Sequence, residues 1–280
     1  MLGTTALRVL RDEDLPDARR VLSRDPVVDV FVASRVALAG LEPRRLGGEM
    51  WGHVVNGTLT ALCHSGANLV PVQAGQEAAV AFAERARRQG RRCASIVGDR
   101  SAVADMWKVL EPAWGPARDV RGCQPLMAID TDPAVEPDPL VRRVRPDELD
   151  LLVPACVAMF TEEVGVSPES ADGGAMYRSR VAELIRSVRA FARIEGGRVV
   201  FKAEIGSVTS SACQVQGVWV PPDLRGRGLS VRGMAAVVAS ARRDIAPVVS
   251  LYVNDYNLAA RASYRRVGFT DRGAFMSVLF

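Results

Sequence analysis

The sequence has few of the residues that build the commonest catalytic and metal sites. Histidine occurs only twice, at His53 and His64, and neither has further ligands at metal-binding spacing. With so few histidines, no Ser-His-Asp arrangement can be argued. The five cysteines are far apart and odd in number, which excludes a CxxC pair and a disulfide ladder. We expect a reduced, cytoplasmic chain that holds no metal.

Long apolar runs and lysines are also scarce. No run approaches the roughly 18 apolar residues of a membrane span, and the first residues, MLGTTALRVLRDEDLPDARR, are acidic where a signal peptide needs an apolar core. The formal charge of +4 comes almost wholly from scattered arginines, because Lys108 and Lys202 are the two lysines. This charge suits an anionic ligand, but no basic stripe with interleaved aromatics indicates nucleic acid. We expect neither a membrane nor a nucleic-acid partner.

The composition predicts a folded chain of two domains. Hydrophobic residues make up 48% of the 280 residues and charged residues 24%, enough apolar material for a core in a chain longer than one usual domain. The proline-rich stretch DTDPAVEPDPLVRRVRP cannot sustain a helix or a central strand. We place a linker at 131–146, between an N-terminal domain at 1–130 and a C-terminal domain at 141–280.

The predicted elements repeat in the two halves. Asn56-Gly57 and Ser65-Gly66 are turn signals between three strands of the first half. Hydrophobic patterning in each half gives the order β-α-α-β-β-β-α-β-α-β. The second half is predicted to have strands at 141–144, 190–195, 199–205, 212–220, 248–253 and 274–280, and helices at 146–163, 176–188, 229–243 and 258–267. The shared order suggests an internal duplication.

The stretch VWVPPDLRGRGLSVRGMAAVVASARR has the features of an anion site. Gly226 and Gly228 let the backbone approach a ligand, and N–H groups of residues 226–231 at a helix start would face a phosphate. Arg225, Arg227 and Arg232 add positive charge. A glycine turn that merely starts a helix is the alternative.

An open strand edge is predicted directly before this turn. Pro221 and Pro222 follow Val220. Because proline lacks a backbone N–H, hydrogen bonding to a neighbouring strand should stop there. An open edge offers main-chain groups to an extended ligand that carries amides. Pantetheine carries two amides, so an edge followed by a phosphate turn describes coenzyme A better than a free mononucleotide.

These residues resemble the acetyl-CoA motif of the GNAT superfamily of N-acetyltransferases. Arg225, Gly228 and Ser230 occupy its Gln/Arg, Gly and Gly/Ala places, with serine as a small departure. LYVNDYNLAARASYRRVGF resembles the later GNAT motif, in which Asn257, Ala260 and Tyr264 share a helix face. The cofactor-binding residues that the resemblance implies are Val218, Trp219, Val220, Arg225, Gly226, Arg227, Gly228, Leu229, Ser230, Val231, Asn257, Ala260 and Tyr264.

The resemblance also implies the fold. We expect an α/β (α+β) protein of two tandem GNAT-like domains, each a mixed, mostly antiparallel sheet flanked by helices. The first half has Pro71-Val-Gln-Ala-Gly75 where the second has its Arg-Gly-x-Gly turn, so we expect a degenerate N-terminal domain.

Four residues are predicted either to transfer protons or to bind the acceptor. By the resemblance, Tyr264 is the general acid that protonates the leaving thiolate, and its alternative is a half-buried packing tyrosine. Glu204 is the candidate general base, and a Lys202–Glu204 salt bridge facing a cleft or solvent is equally open. Glu162 and Glu163 would bind a cationic acceptor, or form a solvated acidic helix end.

The leading hypothesis is an N-acetyltransferase that moves the acetyl group of acetyl-CoA onto a primary amine, in a small molecule or a protein, by direct attack. A non-catalytic acyl-CoA-binding sensor or scaffold is the alternative. Fold-level kinship does not settle the substrate. The acceptor, the acyl-chain preference, the base, any ligand of the first half and the choice between monomer and homodimer therefore stay open.

Overall fold

The computed structural model describes residues 4–170 and 173–280, and its elements follow the predicted order. The first half contains β1 (Thr5–Val9), α1 (Leu15–Leu22), α2 (Val30–Ala39), α3 (Pro43–Leu46), β2 (Gly48–Val55), β3 (Thr58–Gly66), β4 (Asn68–Val72), α4 (Gln76–Gln89), β5 (Ser95–Asp99), α5 (Arg100–Trp114) and β6 (Asp119–Ile129). The short helix α3 was not predicted, because four residues are too few for a periodic pattern.

The second half repeats this order after the proline-rich stretch. It contains β7 (Arg142–Arg143), α6 (Leu149–Val164), α7 (Ala175–Arg186), β8 (Ala190–Glu195), β9 (Arg198–Val208), β10 (Ala212–Trp219), α8 (Leu229–Asp244), β11 (Val248–Tyr252), α9 (Leu258–Val267) and β12 (Thr270–Leu279). Short 3-10 turns at Pro146–Glu148 and Pro222–Leu224 precede α6 and α8.

The chain forms two compact units that do not simply follow chain order. The first unit comprises the chain up to Met127 together with Tyr252–Tyr256 and Asp271–Phe280. The second comprises Ala128–Leu251 and Asn257–Thr270. Most of strand β12 therefore belongs to the first unit, although the sequence division at 131–146 would assign it to the C-terminal domain. That division itself stays a prediction.

Each unit contains a mixed, mostly antiparallel sheet with helices packed on it, as predicted. Strands of the first unit lie in the order β1-β2-β3-β4-β5-β12-β6, and those of the second in the order β11-β10-β9-β8-β7. The pairs β4–β5 and β10–β11 are parallel. In the second unit, α6 and α7 pack on β8 and β9 through a buried cluster that includes Cys156, Val181 and Ala192. No helix in the described residues is long and apolar enough to cross a membrane.

One of the two predicted hairpin turns is confirmed and the other is wrong. Asn56 and Gly57 both have left-handed φ values, 49° and 79°, as a two-residue hairpin requires. The predicted Ser65-Gly66 turn instead lies within β3, which pairs with β2 as far as Gly48 opposite Gly66. The bend falls at Ala67. A Cβ atom at Gly66 would stand 2.4 Å from the carbonyl oxygen of Gly47, so this glycine permits close strand pairing.

His64 is a buried histidine of the first unit. Its side chain is 2% exposed, and neither ring nitrogen has a hydrogen-bond partner among the described residues. Burial, and then the charge of Arg35, lower its pKa from 6.5 to about 4. The folded chain therefore keeps His64 neutral at pH values where the unfolded chain protonates it.

His64 should make the first unit lose stability in mild acid. Its folded pKa lies below its unfolded value, so stability is complete above pH 6.5 and falls as the pH drops towards 4. The slope should approach about 1.4 kcal/mol per pH unit. In His64→Leu, unfolding free energy measured by denaturant titration should fall less over this range than in the native chain.

The difference between the two chains cancels contributions common to both. One is that of buried Asp29, whose pKa burial raises to about 7. Parallel stability curves for the native chain and His64→Leu would contradict the role given to His64.

Candidate active site

Strand β10 loses its parallel partner partway along its length. It pairs with β11 at three positions, from Ala212 opposite Val248 to Gln214 opposite Ser250. The strand then continues to Trp219, with no further β11 pairing among the described residues. Its other edge stays paired with β9. Residues 215–219 thus present one open edge, as the two following prolines predict.

The open edge leads into the glycine turn. Gly226 and Gly228 have φ values of +76° and +78°, in the left-handed region that favours glycine. A Cβ atom at either position would meet nothing within 4 Å, so backbone conformation is the local reason for glycine. Gly228 is the N-cap residue of α8, and the first N–H groups of a helix point outward at its positive end.

One predicted member of the phosphate turn is already hydrogen-bonded. The Val231 N–H donates to the carbonyl oxygen of Gly228 at 3.1 Å, and the Arg232 N–H does the same at 3.2 Å. Expecting unpaired N–H groups as far as Val231 is therefore wrong. The N–H groups suited to an anion are those of residues 226–230, because from Val231 onward the N–H groups donate to carbonyl oxygens of the chain itself.

The predicted acceptor residue Glu162 contacts the predicted cofactor turn. Its Oε2 accepts hydrogen bonds from Arg225 Nη2 at 2.7 Å and from Trp219 Nε1 at 3.2 Å. The Arg225 Nε donates to the carbonyl oxygen of Val220 at 3.0 Å. The hydrogen bond from Arg225 lowers the pKa of Glu162. Glu162 thus connects the end of α6 to the strand edge and the turn.

Tyr264 is buried on α9, within a well-capped helix. Asn257 Oδ1 accepts the Ala260 N–H at 3.1 Å, and Gly268 ends the helix with a left-handed φ of +114°. Tyr264 is 7% exposed. Burial, and then the charge of Glu163, raise the pKa of its hydroxyl, so the phenol stays protonated at neutral pH.

Glu204 forms a buried ion pair with Lys202. Lys202 Nζ lies 2.7 Å from Glu204 Oε1, and the two residues are 0% and 5% exposed. Cys156 Sγ also donates to Glu204 Oε1, at 3.4 Å. Burial opposes both charges, but each charge favours the other: the pKa of Lys202 is raised and that of Glu204 is lowered. The alternative salt bridge is therefore present, and it is buried rather than facing solvent.

Lys202 also holds the backbone of β10 at a bulge. Gln216 lies opposite Glu204 and Trp219 opposite Lys202, so β10 has one residue more than β9 between these pairs. Gly217 adopts a φ of +60° there, and its carbonyl oxygen accepts a hydrogen bond from Lys202 Nζ at 2.9 Å. A Cβ atom at Gly217 would stand 3.0 Å from Lys202 Nζ. Both the conformation and the close approach require glycine.

In its described residues, the first unit has no comparable turn. Strands β4 and β5 pair in parallel only at Asn68 and Leu69 among the described residues, but residues 73–75 lead directly into α4. Gln73 there has a φ of 51°, and its Nε2 donates to Asp29 Oδ2 at 2.7 Å. A short turn held by a buried carboxyl group offers little to a phosphate.

Sequence patterns predicted the individual residues of the site better than their contacts. The Lys202–Glu204 alternation was visible, but the reach of Lys202 to Gly217 and the contribution of Cys156 were not. Gly217 inside a predicted strand was the signal that indicates a bulge. In the described residues, no group of three or more His, Cys, Asp or Glu side chains could hold a metal ion.

Comparisons with known families agree with this geometry. Residues 172–269 match the acetyltransferase (GNAT) family, and residues 48–152 match a domain of unknown function, DUF4081. No curated protein matches the chain in sequence.

Solved structures match along nearly the whole chain. A Drosophila protein has a TM-score of 0.69 at 14% identity, covering 99% of both chains. A GCN5-related N-acetyltransferase from Sphaerobacter thermophilus has a TM-score of 0.59 at 18% identity, covering 98% of this chain and 94% of its own. A tandem GNAT protein from the clavulanic acid biosynthesis pathway has a TM-score of 0.50 at 13% identity, covering 99% and 98%.

The repeated mixed sheets are those of a tandem GNAT fold. The match over residues 172–269 and the whole-chain likeness in fold support the resemblance to the GNAT acetyltransferase superfamily and the tandem arrangement predicted from the sequence.

Proposed function

We propose that the second unit is an N-acetyltransferase that moves the acetyl group of acetyl-CoA onto a primary amine. The observation that carries this proposal is the open edge of β10, which runs directly into the glycine turn at the start of α8. The edge suits the amides of pantetheine, and the turn suits the pyrophosphate. No other pair of features in the described residues combines these two chemistries.

Different residues of the edge, the turn and α9 would bind different parts of coenzyme A. Main-chain groups of Val218, Trp219 and Val220 would hold the pantetheine arm, and N–H groups from Gly226 to Ser230 would hold the pyrophosphate. Arg225 and Arg227 are exposed on the turn and add charge for the phosphates. Ala260 presents a small side chain on α9, where coenzyme A would pass close to the helix.

The chemistry needs a proton donor for sulfur and a place for the amine. The neutral amine attacks the thioester carbonyl carbon, the carbon–sulfur bond breaks, and its electron pair leaves on sulfur. Tyr264, whose phenol is protonated at neutral pH, donates a hydrogen bond to that sulfur as it acquires charge and then supplies its proton. The amine nitrogen loses a proton to water as the amide forms, and the phenolate of Tyr264 regains one from water, so the products are an acetylated amine and free coenzyme A.

We place the cationic acceptor at Glu163 rather than at Glu162. Glu162 is engaged by Arg225 and Trp219. Burial is the main cause of the raised pKa of Tyr264 and of Tyr177, and the charge of Glu163 adds to it in both, so the Glu163 carboxylate lies within electrostatic reach of the Tyr264 hydroxyl. An ammonium group there would be attracted before it gives up its proton.

A base role for Glu204 stays a prediction. Its Oε1 is held by Lys202 and Cys156, and Lys202 holds its pKa below the ordinary value. A charge-paired carboxylate is a weak proton acceptor, so this arrangement also suits the alternative function, an acyl-CoA-binding sensor without turnover.

The proposal is tested by calorimetric titration of the whole chain with acetyl-CoA and free coenzyme A, followed by thiol-release assays across a panel of primary amines. We expect one equivalent of either ligand to bind and release of thiol to depend on the amine. Binding without release would favour the sensor, and absence of binding would overturn both functions.

Tyr264→Phe is the matched variant for this experiment. Phenylalanine keeps the packing against Phe269, whose ring centroid lies 5.9 Å away, but removes the proton donor. We expect turnover to fall about 100-fold with the acetyl-CoA dissociation constant unchanged. An unaltered rate would remove the general-acid role from Tyr264.

The adjacent variants Glu162→Gln and Glu163→Gln should have separate effects. Glu162→Gln frees the charge of Arg225, so coenzyme A should bind about 2- to 5-fold more tightly at low salt, as expected for an exposed pair. Glu163→Gln should leave that affinity unchanged and raise KM for a cationic amine. Calorimetry and steady-state rates measure the two effects. Equal changes in both variants, or weaker coenzyme A binding in Glu162→Gln, would contradict the assignment.

A further inference from the structure

Lys202 occupies an unusual position for a lysine. Its side chain is fully buried, whereas Lys108, the chain's other lysine, has a side chain that is 73% exposed. A buried ammonium group is costly unless partners offset the lost hydration. Lys202 has such partners in the carboxylate of Glu204 and the carbonyl oxygen of Gly217. The charge of Lys202 is therefore fixed against one peptide group of β10.

The contact with Gly217 determines the direction of the next N–H group. In a planar trans peptide the C=O and N–H bonds point in opposite directions. Because Lys202 Nζ holds the Gly217 oxygen, the N–H of Val218 in the same peptide points away from Lys202. Gly217 and Val218 lie beyond Gln214, where β10 has left β11. Val218 thus belongs to the open edge that would receive the thioester.

The contact should also strengthen that N–H group as a donor. A hydrogen bond from a cation polarises the peptide, and hydrogen bonds in a chain reinforce one another where the dielectric constant is low. We propose that Lys202 is a positioning residue that orients and polarises the Val218 N–H towards the thioester oxygen. Glu204 keeps Lys202 charged and in place. This inference rests on the proposed acetyltransferase function and assigns the buried ion pair a part in that function.

The charge states of the pair agree with this role. Burial is the largest single influence and opposes both charges, but the partner's charge and hydrogen bond, with smaller contributions from neighbouring groups, together outweigh it, so the pKa of Lys202 is raised and that of Glu204 is lowered. The charge of Arg180 lowers the pKa of Glu204 further. Burial raises the pKa of Cys156 to about 12, so its thiol remains a donor to Glu204. Lys202 consequently stays charged at neutral pH.

The test removes both charges, since removing one alone would strand its partner in the core. Lys202→Met/Glu204→Met replaces a buried ion pair by apolar residues of similar length, an exchange that proteins often tolerate. The matched control is Lys108→Met/Asp105→Asn, which removes a pair 2.9 Å apart on α5 that consists of an exposed lysine and a half-buried aspartate. If the first variant does not fold, Lys202→Gln/Glu204→Gln removes the same charges with polar side chains.

The readout is the infrared carbonyl stretch of bound acetyl-CoA, isotopically labelled at the thioester carbonyl, with no amine present. In the native chain and the control, a strong donor should shift this band to lower wavenumber than in free acetyl-CoA. In the double variant the band should return towards its free position, with the dissociation constant unchanged and kcat about 10- to 100-fold lower. The band does not depend on a base, so it separates this role of Lys202 from any proton transfer by Glu204.

Two outcomes would overturn the inference. An equal shift in the native chain and the folded double variant would remove the role of Lys202 and leave the acetyltransferase proposal standing. Failure of the native chain to bind acetyl-CoA would overturn the proposed function and the inference together.

Discussion

The end of pairing between β10 and β11 is the constraint on which the proposed site depends. A strand that stayed paired through Trp219 would have no main-chain groups to offer a ligand. Pairing stops at Gln214, and the prolines after Val220 prevent the strand from continuing into a regular ladder. The glycine turn then places a helix start beside the end of the strand. In the proposed function, this one local break in the sheet supplies both the edge for the amides and the turn for the phosphates.

The two units share an element order but differ in the connection from strand to helix. In both units, a pair of parallel strands stops pairing before the carboxyl end of the first strand. In the second unit, residues 220–228 lead from strand to helix with two left-handed glycines. In the first unit, residues 73–75 make the same connection, and Gln73 is anchored by the buried carboxyl group of Asp29. The two units therefore differ in the length and charge of this loop rather than in the sheet.

Much of the fold was predictable because hydrophobic periodicity and turn residues are local signals. The helix over Leu258–Val267 has the predicted bounds, since Asn257 and Gly268 cap its ends. Other features depend on contacts between distant residues. The assignment of β12 to the first unit, the pairing of Glu162 with Arg225, and the reach of Lys202 to Gly217 connect segments that periodicity treats separately. The sequence therefore predicted which residues belong to the proposed site, but not the contacts between them.

Hydrogen–deuterium exchange with and without coenzyme A tests the central claim most directly, because it reports on main-chain N–H groups along the chain. Coenzyme A should slow exchange in residues 215–220 and 226–230 and leave residues 70–75 unchanged. Slowed exchange at 70–75, or none at the β10 edge and its glycine turn, would contradict the assignment of the coenzyme A site to the second unit.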